Sequence, residues 1–419
     1  MKILVLNSGS SSVKYKLIDT DGEKVLAEGG VEKIGLADGF LKYKRADGSK
    51  DIVELGLTDH KGAIEAVLRQ LTDKTEGCIK SYSEIDAVGH RVVHGGEKFA
   101  KSVIIDDAVK EMIRQCYDIA PLHNPANMTG IEAMEALLPG VPQVGVFDTA
   151  FHQTMPAKSF MYALPYKYYE EDGVRRYGFH GTSHRYVSQR VAEILGVDIH
   201  SVKIITCHVG NGGSITAVDG GRSVDTSMGL TPTEGLMMGT RVGDIDPGVL
   251  TYLMTKHNLS ATDVQRIINK EGGIAGVTEI SSDMREIEAA VAAGNERARL
   301  GLEMYEQRIT KYKFPPVVLL IGVVIAYFTS AAVSRAIMSS SSVGTTTTFT
   351  LLPGVEMTAS TPRALLASAS ISTPMKASGA QTSARSPVWF SPTPIAGVTE
   401  ISSDMREIEA AVAAGNERA

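Results

Sequence analysis

ILVLNSGSSSVKYKLID, residues 3–19, sets an unbroken apolar run beside a serine-rich turn and a second, alternating run. Ile3–Leu6 has the character of a strand buried on both faces. After the turn, Val13, Tyr15 and Leu17 alternate with Lys14 and Lys16 at a strand's period of two, which puts Lys16 toward solvent. Two strands joined by a short polar turn make a hairpin. Gly and Ser are common turn residues, and that alone accounts for the middle of the stretch. The same residues also suit a phosphate cradle. Small side chains let backbone N–H groups approach an oxyanion, while Asn7, Ser10, Ser12 and Lys14 add donors or reach a metal's water shell. Taken alone, the stretch favours the plain turn.

A chain of 419 residues is long for one core and predicts two or three domains. Its net charge of -6 gives no footing for a nucleic-acid or acidic-membrane partner. Cys78, Cys116 and Cys207 are far apart, odd in number and in no metal spacing, which suits a reducing cytoplasm. The first residues show no charged leader, apolar stretch and cleavage site, so a secretory signal is not expected.

Residues 1 to about 313 read as an α/β protein. Apolar strands at Ile3–Leu6, Ile85–Val88, Gln143–Phe147 and Val202–Cys207 alternate with helical patterns at Lys61–Thr72, Asp107–Cys116 and Ser183–Leu195. The character then changes. FPPVVLLIGVVIAYF, 314–328, is densely apolar; extended to 333 it barely reaches the length of a membrane span, and a buried strand is the plainer reading. Residues 338–394 are rich in Ser and Thr, with Glu356 the only acid, and predict disorder. Finally, IAGVTEISSDMREIEAAVAAGNERA stands at 274–298 and again, letter for letter, at 395–419. Repeat architectures drift and need several units, so a perfect pair points to recombination or an assembly artefact. The first copy predicts a helix from about Ser282 with Met284, Ile287 and Val291 on one packed face. The second copy, its docking site already occupied, is expected to fray.

Residues 204–221, IITCHVGNGGSITAVDGG, repeat the strand–turn–strand pattern, with Gly210, Gly212 and Ser214 matching Gly9, Ser10 and Ser12. Two such hairpins, one per half, suggest duplicated lobes presenting backbone N–H groups to one polyphosphate across a cleft. The cradle reading thereby overtakes the turn reading. Between the hairpins lie clusters suited to phosphoryl transfer, where fixed cations and donors meet charge on the moving group. GHRVVHGG (89–96) carries Arg91, PLHNP (121–125) carries His123, FDTAFH (147–152) carries Asp148, and GFHGTSH (178–184) carries His180 and His184. MGTRVGDIDPG (238–248) carries Arg241. Asp148, at a strand's C-terminal edge, is placed where α/β sites form. His90, His94 and His152 read as structural hydrogen-bonding partners, and Arg175 and Arg176 as a solvated basic face. His180 and His184 have a zinc helix's spacing without its HExxH glutamate, which disfavours a metal-ligand role.

LNSGSSSVKY, GHRVVHGGEKF, PLHNP, VFDTAFHQTMP, YGFHGTSH, CHVGNGGSITAV and MGTRVGDIDP stand in the order seen in acetate kinases, and the first 312 or so residues resemble that family. The resemblance implies a two-lobed, actin-like (ribonuclease H-like) α/β kinase fold, with lobes at 1–150 and 151–313. It implies transfer of phosphoryl from ATP to acetate with Mg²⁺, Mn²⁺ being an alternative, in a cytoplasmic homodimer. By motif, Asn7 would help hold the metal while Ser10, Ser12 and Lys14 approach the phosphates. Arg91 and Arg241 would clamp carboxylate and phosphoryl group, His180 and His123 would stabilise charge, and Asp148 would orient the nucleophile or the metal. Val93, Leu122, Phe179 and Pro232 would form the methyl pocket. His208, Asn211 and Gly212 would sit at the polyphosphate, and Asp283 and Arg285 near the nucleotide, although Met284 replaces the family's usual phenylalanine. The family's GIGEN adenosine turn and TNEE-like glutamate motif are absent from 314–419. The resemblance therefore implies a truncated second lobe and impaired activity. The rival reading is a non-catalytic fusion, possibly tethered to a membrane through 314–333.

Overall fold

The computed structural model describes residues 1–121, 123–311, 321–326, 347–351, 355–359 and 405–416. The chain divides into two compact units: 1–189, 222–232 and 394–419 form the first, and 190–221 and 233–393 the second. Residues 151–189, grouped by sequence with the second lobe, group by contact with the first.

In the first unit β1 (Lys2–Ser8) and β2 (Ser12–Asp19) pair antiparallel, with Asn7 opposite Lys14 and Ser8 opposite Val13. They lie within an eight-stranded sheet that continues through β3 (Lys24–Glu32), β4 (Phe40–Arg45) and β5 (Lys50–Glu54). On its other side β1 pairs parallel with β6 (Ala87–Val92), and β6 with β8 (Gln143–Phe147). The short β7 (Val103–Ile104) closes this edge antiparallel to β8. Because β1, β6 and β8 run the same way, the loops after them leave from one end of the sheet.

Alternation along β1 divides its side chains between two cores. Leu4 and Leu6 join Tyr15 and Leu17 against Ile64 and Val67 of helix His60–Leu71 and Met134 of helix Asn124–Leu137. Ile3 and Val5 join Ile18, Ala87, Val144 and Val146 on the opposite face. Lys16 departs from expectation. It is 7% exposed and pairs with Glu28 at 3.2 Å, while Lys44 meets the same carboxylate at 2.6 Å. The reason is that β2 is an interior strand whose neighbour β3 supplies the counter-charge. Burial pushes the Glu28 carboxyl up, but Lys44 and Lys16 together hold it below its ordinary value.

In the second unit β9 (Lys203–Val209) and β10 (Gly213–Asp219) form the second hairpin, and β12 (Ile321–Ala326) pairs parallel with β9. The order β10–β9–β12 repeats β2–β1–β6 in both sequence and sense, as duplicated lobes require. The intervening β11 (Arg222–Thr226) belongs to the first unit. Ile321–Ala326 thus takes the strand reading of the apolar run; the rest of 314–333 lies outside the described residues. Among the described residues no helix is long and apolar enough to cross a membrane. Within 338–394, β13 (Thr347–Leu351) and β14 (Val355–Ala359) pair antiparallel where composition predicts disorder. Threonine is β-branched and favours strands, so hydroxyl-rich composition misleads here; the rest of 338–394 lies outside the described residues.

Both copies of the repeat form helices. The first, Met284–Ala292, is capped by Asp283, whose carboxylate accepts from the Arg285 N–H at 2.9 Å. Met284 and Ile287 are buried with Cys207, Val209, Ile215 and Leu236. The second, Met405–Asn416, buries Ile408 and Val412 on the first unit's sheet. The expected fraying is corrected: this copy has its own partner, the Ile3–Val5 face. We expect Ile287→Ala to cost about 2–5 kcal/mol in urea unfolding. Glu286→Ala, an exposed change on the same helix, should stay within about 0.5 kcal/mol. Equal midpoints for the two would remove Ile287 from the core.

Candidate active site

The parallel edge of the first unit brings two of the candidate residues, Arg91 and Asp148, together. Arg91 lies near the end of β6 and Asp148 directly follows β8. Arg91 Nε donates to Asp148 Oδ1 at 2.9 Å and Nη2 to Oδ2 at 2.6 Å, a two-point contact that fixes the guanidinium plane. Asp148 is almost fully buried, whereas Arg91 is half-buried. The Asp148 carbonyl accepts from the Gly181 N–H at 2.8 Å. A Cβ at Gly181 would lie 2.3 Å from that oxygen, so only glycine fits at the start of helix Gly181–Leu195. His180, just before it, is buried with φ of 59°, a left-handed conformation rare for a side-chain-bearing residue. Such backbone strain is found at functional positions.

Two asparagines that the sequence did not single out hold this edge together. Asn127 donates to the Ser8 carbonyl at 2.7 Å and accepts from the Val93 N–H at 3.0 Å, joining the ends of β1 and β6. Asn124 accepts from the His94 N–H at 3.1 Å and donates to the His94 carbonyl at 2.9 Å. The turn after β1 is closed by the Gly9 N–H to Ser12 carbonyl bond, and His60 Nε2 donates to the Gly9 carbonyl. His123 is half-buried at the start of helix Asn124–Leu137. Val93 and Phe179 are buried and Pro232 half-buried, all in the first unit; Leu122 lies outside the described residues.

Three histidines play the structural parts expected of them. His90 donates to Gln143 Oε1 at 2.6 Å, and His152 donates from Nε2 to the Phe179 carbonyl while its Nδ1 accepts from Ser223. Burial pushes His90 and His152 down to about 4 and His94 down to about 3, so all three are neutral. Arg175 and Arg176 correct the expectation of a solvated face. Arg175 is buried, paired with Glu97 and stacked 3.6 Å from the centre of Phe160. Arg176 donates to the Thr226 carbonyl at 2.6 Å. Both are fastened by backbone and aromatic partners distant in sequence.

In the second unit the Gly210–Gly212 turn closes β9 to β10, and the Asn211 carbonyl accepts from Gly239 N–H at 3.0 Å. A Cβ at Gly239 would fall 1.9 Å from Asn211 Oδ1, so the 238–243 loop carrying Arg241 rests directly on the turn. That loop is braced from below: Ile274 N–H donates to the Met238 carbonyl and Ala275 N–H to the Gly239 carbonyl. His208, on β9, stands opposite Ser214. Asp283 and Arg285 pair with one another at the start of their helix, and the Arg285 guanidinium holds Asp283 down to about 2.

Residues 2–324 match the sequence profile of the acetokinase family. The chain belongs to that family. It is 62% identical over 312 residues to the acetate kinase of Parabacteroides distasonis, covering 74% of this chain and 78% of that one. To the acetate kinase of Phocaeicola vulgatus it is 59% identical over 329 residues, covering 78% and 83%. The crystal structure of Porphyromonas gingivalis acetate kinase matches with a TM-score of 0.73 at 55% identity, covering 77% and 82%. A propionate kinase from Francisella tularensis matches with a TM-score of 0.76 at 39% identity, covering 81% and 87%. The fold is accordingly the actin-like α/β fold of acetate kinases. The acetokinase match runs to residue 324 and so takes in most of β12, beyond the expected limit near residue 312.

The neutral histidines give this chain a pH signature. Unfolded imidazoles take protons near 6.5, whereas His90, His94 and His152 resist protonation until far lower pH. Between about pH 6.5 and 4 the unfolded chain therefore binds more protons, and stability falls as pH is lowered through that window. Each such histidine accounts for up to about 2 kcal/mol between pH 7 and 5. We expect His152→Gln to flatten the slope of urea stability against pH by about one proton. A slope unchanged from wild type would show that His152 titrates normally in the folded chain.

Proposed function

We propose that this chain transfers the terminal phosphoryl group of ATP to acetate, giving acetyl phosphate and ADP. The observation that carries the reading is the Arg91–Asp148 pair at the parallel edge, in a chain of the acetokinase family. A carboxylate oxygen of acetate forms the new bond to the γ-phosphorus. The bond from that phosphorus to the bridging oxygen breaks, and its electron pair leaves with ADP. The nucleophile is already an anion, so no proton needs removing. What the site has to supply is position and positive charge. Asp148 holds the Arg91 guanidinium in one plane, so the cation meets developing charge without reorganising. Arg241 is the second clamp, with His180 and His123 as further charge stabilisers. Val93, Phe179 and Pro232, together with Leu122, take the methyl group.

Ser10, Ser12 and Lys14 of the first hairpin and His208, Asn211 and Gly212 of the second approach the phosphates; Asp283 and Arg285 lie toward the nucleotide. Asn7 and the serine hydroxyls are hard oxygen donors, which suit Mg²⁺ or Mn²⁺. Among the described residues no group of three His, Cys, Asp or Glu side chains is placed to hold a metal ion. Asn7 and the serine hydroxyls, neutral oxygen donors, suit an ion that arrives on nucleotide phosphates. When bound, the ion neutralises phosphate charge. Acetate is the proposed acceptor, and a cytoplasmic homodimer the proposed setting.

Hydroxylamine trapping of acetyl phosphate tests the assignment. Arg91→Ala and Arg241→Ala should each lower turnover by about a hundredfold or more, while Lys74→Ala, on an exposed turn, should leave it unchanged. Similar rates in all three would remove the arginines from the site.

A second reading is favoured by where the family match stops. It ends at residue 324, and the matched relatives are covered to only 78% and 83% of their lengths. We propose that turnover of this sequence is low, because binding energy at the remote adenosine positions the γ-phosphate. Replacing 325–419 with a relative's corresponding segment should restore the rate. Equal rates before and after replacement would mean that 325–419 already serves the nucleotide.

A further inference from the structure

Helix Ala261–Arg266 does not continue as an α-helix but widens into a π-helical turn, Ile267–Glu271. Such turns are rare and are frequently found at functional positions. This one directs acceptors at the loop that carries Arg241. The Ile268 carbonyl accepts from the Val242 N–H at 3.1 Å, and the Asn269 carbonyl accepts from Thr240 Oγ1 at 3.0 Å. Arg241 is thus fastened on both sides, through the residue before it and the residue after it. The Asn269 side chain ties the turn itself. Its Nδ2 donates to the Gln265 carbonyl at 2.9 Å, the acceptor that an α-helix would give to the Asn269 N–H. Its Oδ1 accepts from Thr233 Oγ1 at 2.6 Å. Gly272 and Gly273 then pass directly against the same loop. A Cβ at Gly272 would lie 2.3 Å from Val242 Cγ1, and one at Gly273 would lie 2.9 Å from the Arg241 N. All of these residues belong to the second unit.

We propose that Asn269 and Thr240 are positioning residues for Arg241, with the π-helical turn as the clasp that fixes the backbone on either side of it. The inference rests on the role given to Arg241 under the proposed reaction. A fixed cation lowers the barrier most when it is in place before charge develops. An arginine on an untethered loop would have to be ordered in each turnover, and part of its effect would be lost. Asn269 and Thr240 act through the Arg241 backbone, not on substrate.

A double-mutant cycle on the full chain, read by hydroxylamine trapping, tests the coupling. Thr240→Val keeps the shape and removes the donor, and should lower kcat by about tenfold, the size of one hydrogen bond. Thr240→Ser keeps the hydroxyl and should recover most of that loss. Asn269→Ala should fall at least as far as Thr240→Val. In an Arg241→Ala chain the same two changes should each alter the rate by less than about twofold, because no guanidinium is left to misplace. Equal losses with and without Arg241 would make the clasp a merely structural element and overturn the inference. An unchanged rate in Arg241→Ala alone would overturn the reading of Arg241, and this inference with it. Amide exchange separates the two failures without needing turnover. The Val242 N–H should exchange at least about tenfold faster in Thr240→Val and Asn269→Ala than in the wild type, while β9 keeps its protection. Unchanged exchange at Val242 would overturn the clasp and leave the reaction as proposed. Lost protection across β9 would place Asn269 in the general fold and would also overturn it.

Discussion

The carboxamide of Asn127 holds the end of β1 to the end of β6, and the candidate residues of the first unit are arranged about that bridge. Where parallel strands stop pairing, their last N–H and C=O groups lose ladder partners, and buried ones must find others. Asn127 serves the Ser8 carbonyl and the Val93 N–H with one planar group. Asn124 does the same for both backbone groups of His94. Asn124, Asn127 and Gly130 fall three apart on one stripe of a helix. A Cβ at Gly130 would lie 2.7 Å from Ser8 Cβ, so the helix rests directly on the strand end. The end of β1 before the first turn and the segment after Arg91 are thereby set against one edge.

What could be read from the sequence was local and periodic. The alternation in Val13–Leu17 identified β2, and the apolar run identified β1 and its need for cover on both faces. Pairings between distant residues were not legible. Arg91 and Asp148 could each be singled out by motif, but their two-point contact depends on β6 lying beside β8. Lys16 read as exposed because its partner Glu28 sits on β3, which a single-strand pattern does not reveal. Arg175 misled for a similar reason, since Glu97 and Phe160 come from separate segments. The helix of the second copy was predictable. Its berth was not, although the apolar Ile3 and Val5 had already asked for one.

The serine-rich stretch reads both as a plain turn and as a cradle. The structure bears on this through its local irregularities. Ser8 Oγ and His94 Nε2 are buried without a hydrogen-bond partner among the described residues. Because Gly96 N–H donates to His94 Nδ1, the neutral ring carries its proton on Nε2, and that N–H meets no acceptor. Its ring instead lies edge-on to Tyr177 at 4.4 Å. Buried polar atoms are almost always satisfied, so these two atoms are exceptions. Both exceptions belong to the residues fastened by Asn127 and Asn124, and the left-handed His180 directly precedes the glycine that donates to the Asp148 carbonyl. Departures from local rules tend to collect where function demands them. Two of the four such buried atoms among the described residues, with the left-handed His180, belong to the glycine- and histidine-rich motifs and the strand end beside the first turn; Arg45 Nε and Arg175 Nη2 are the other two.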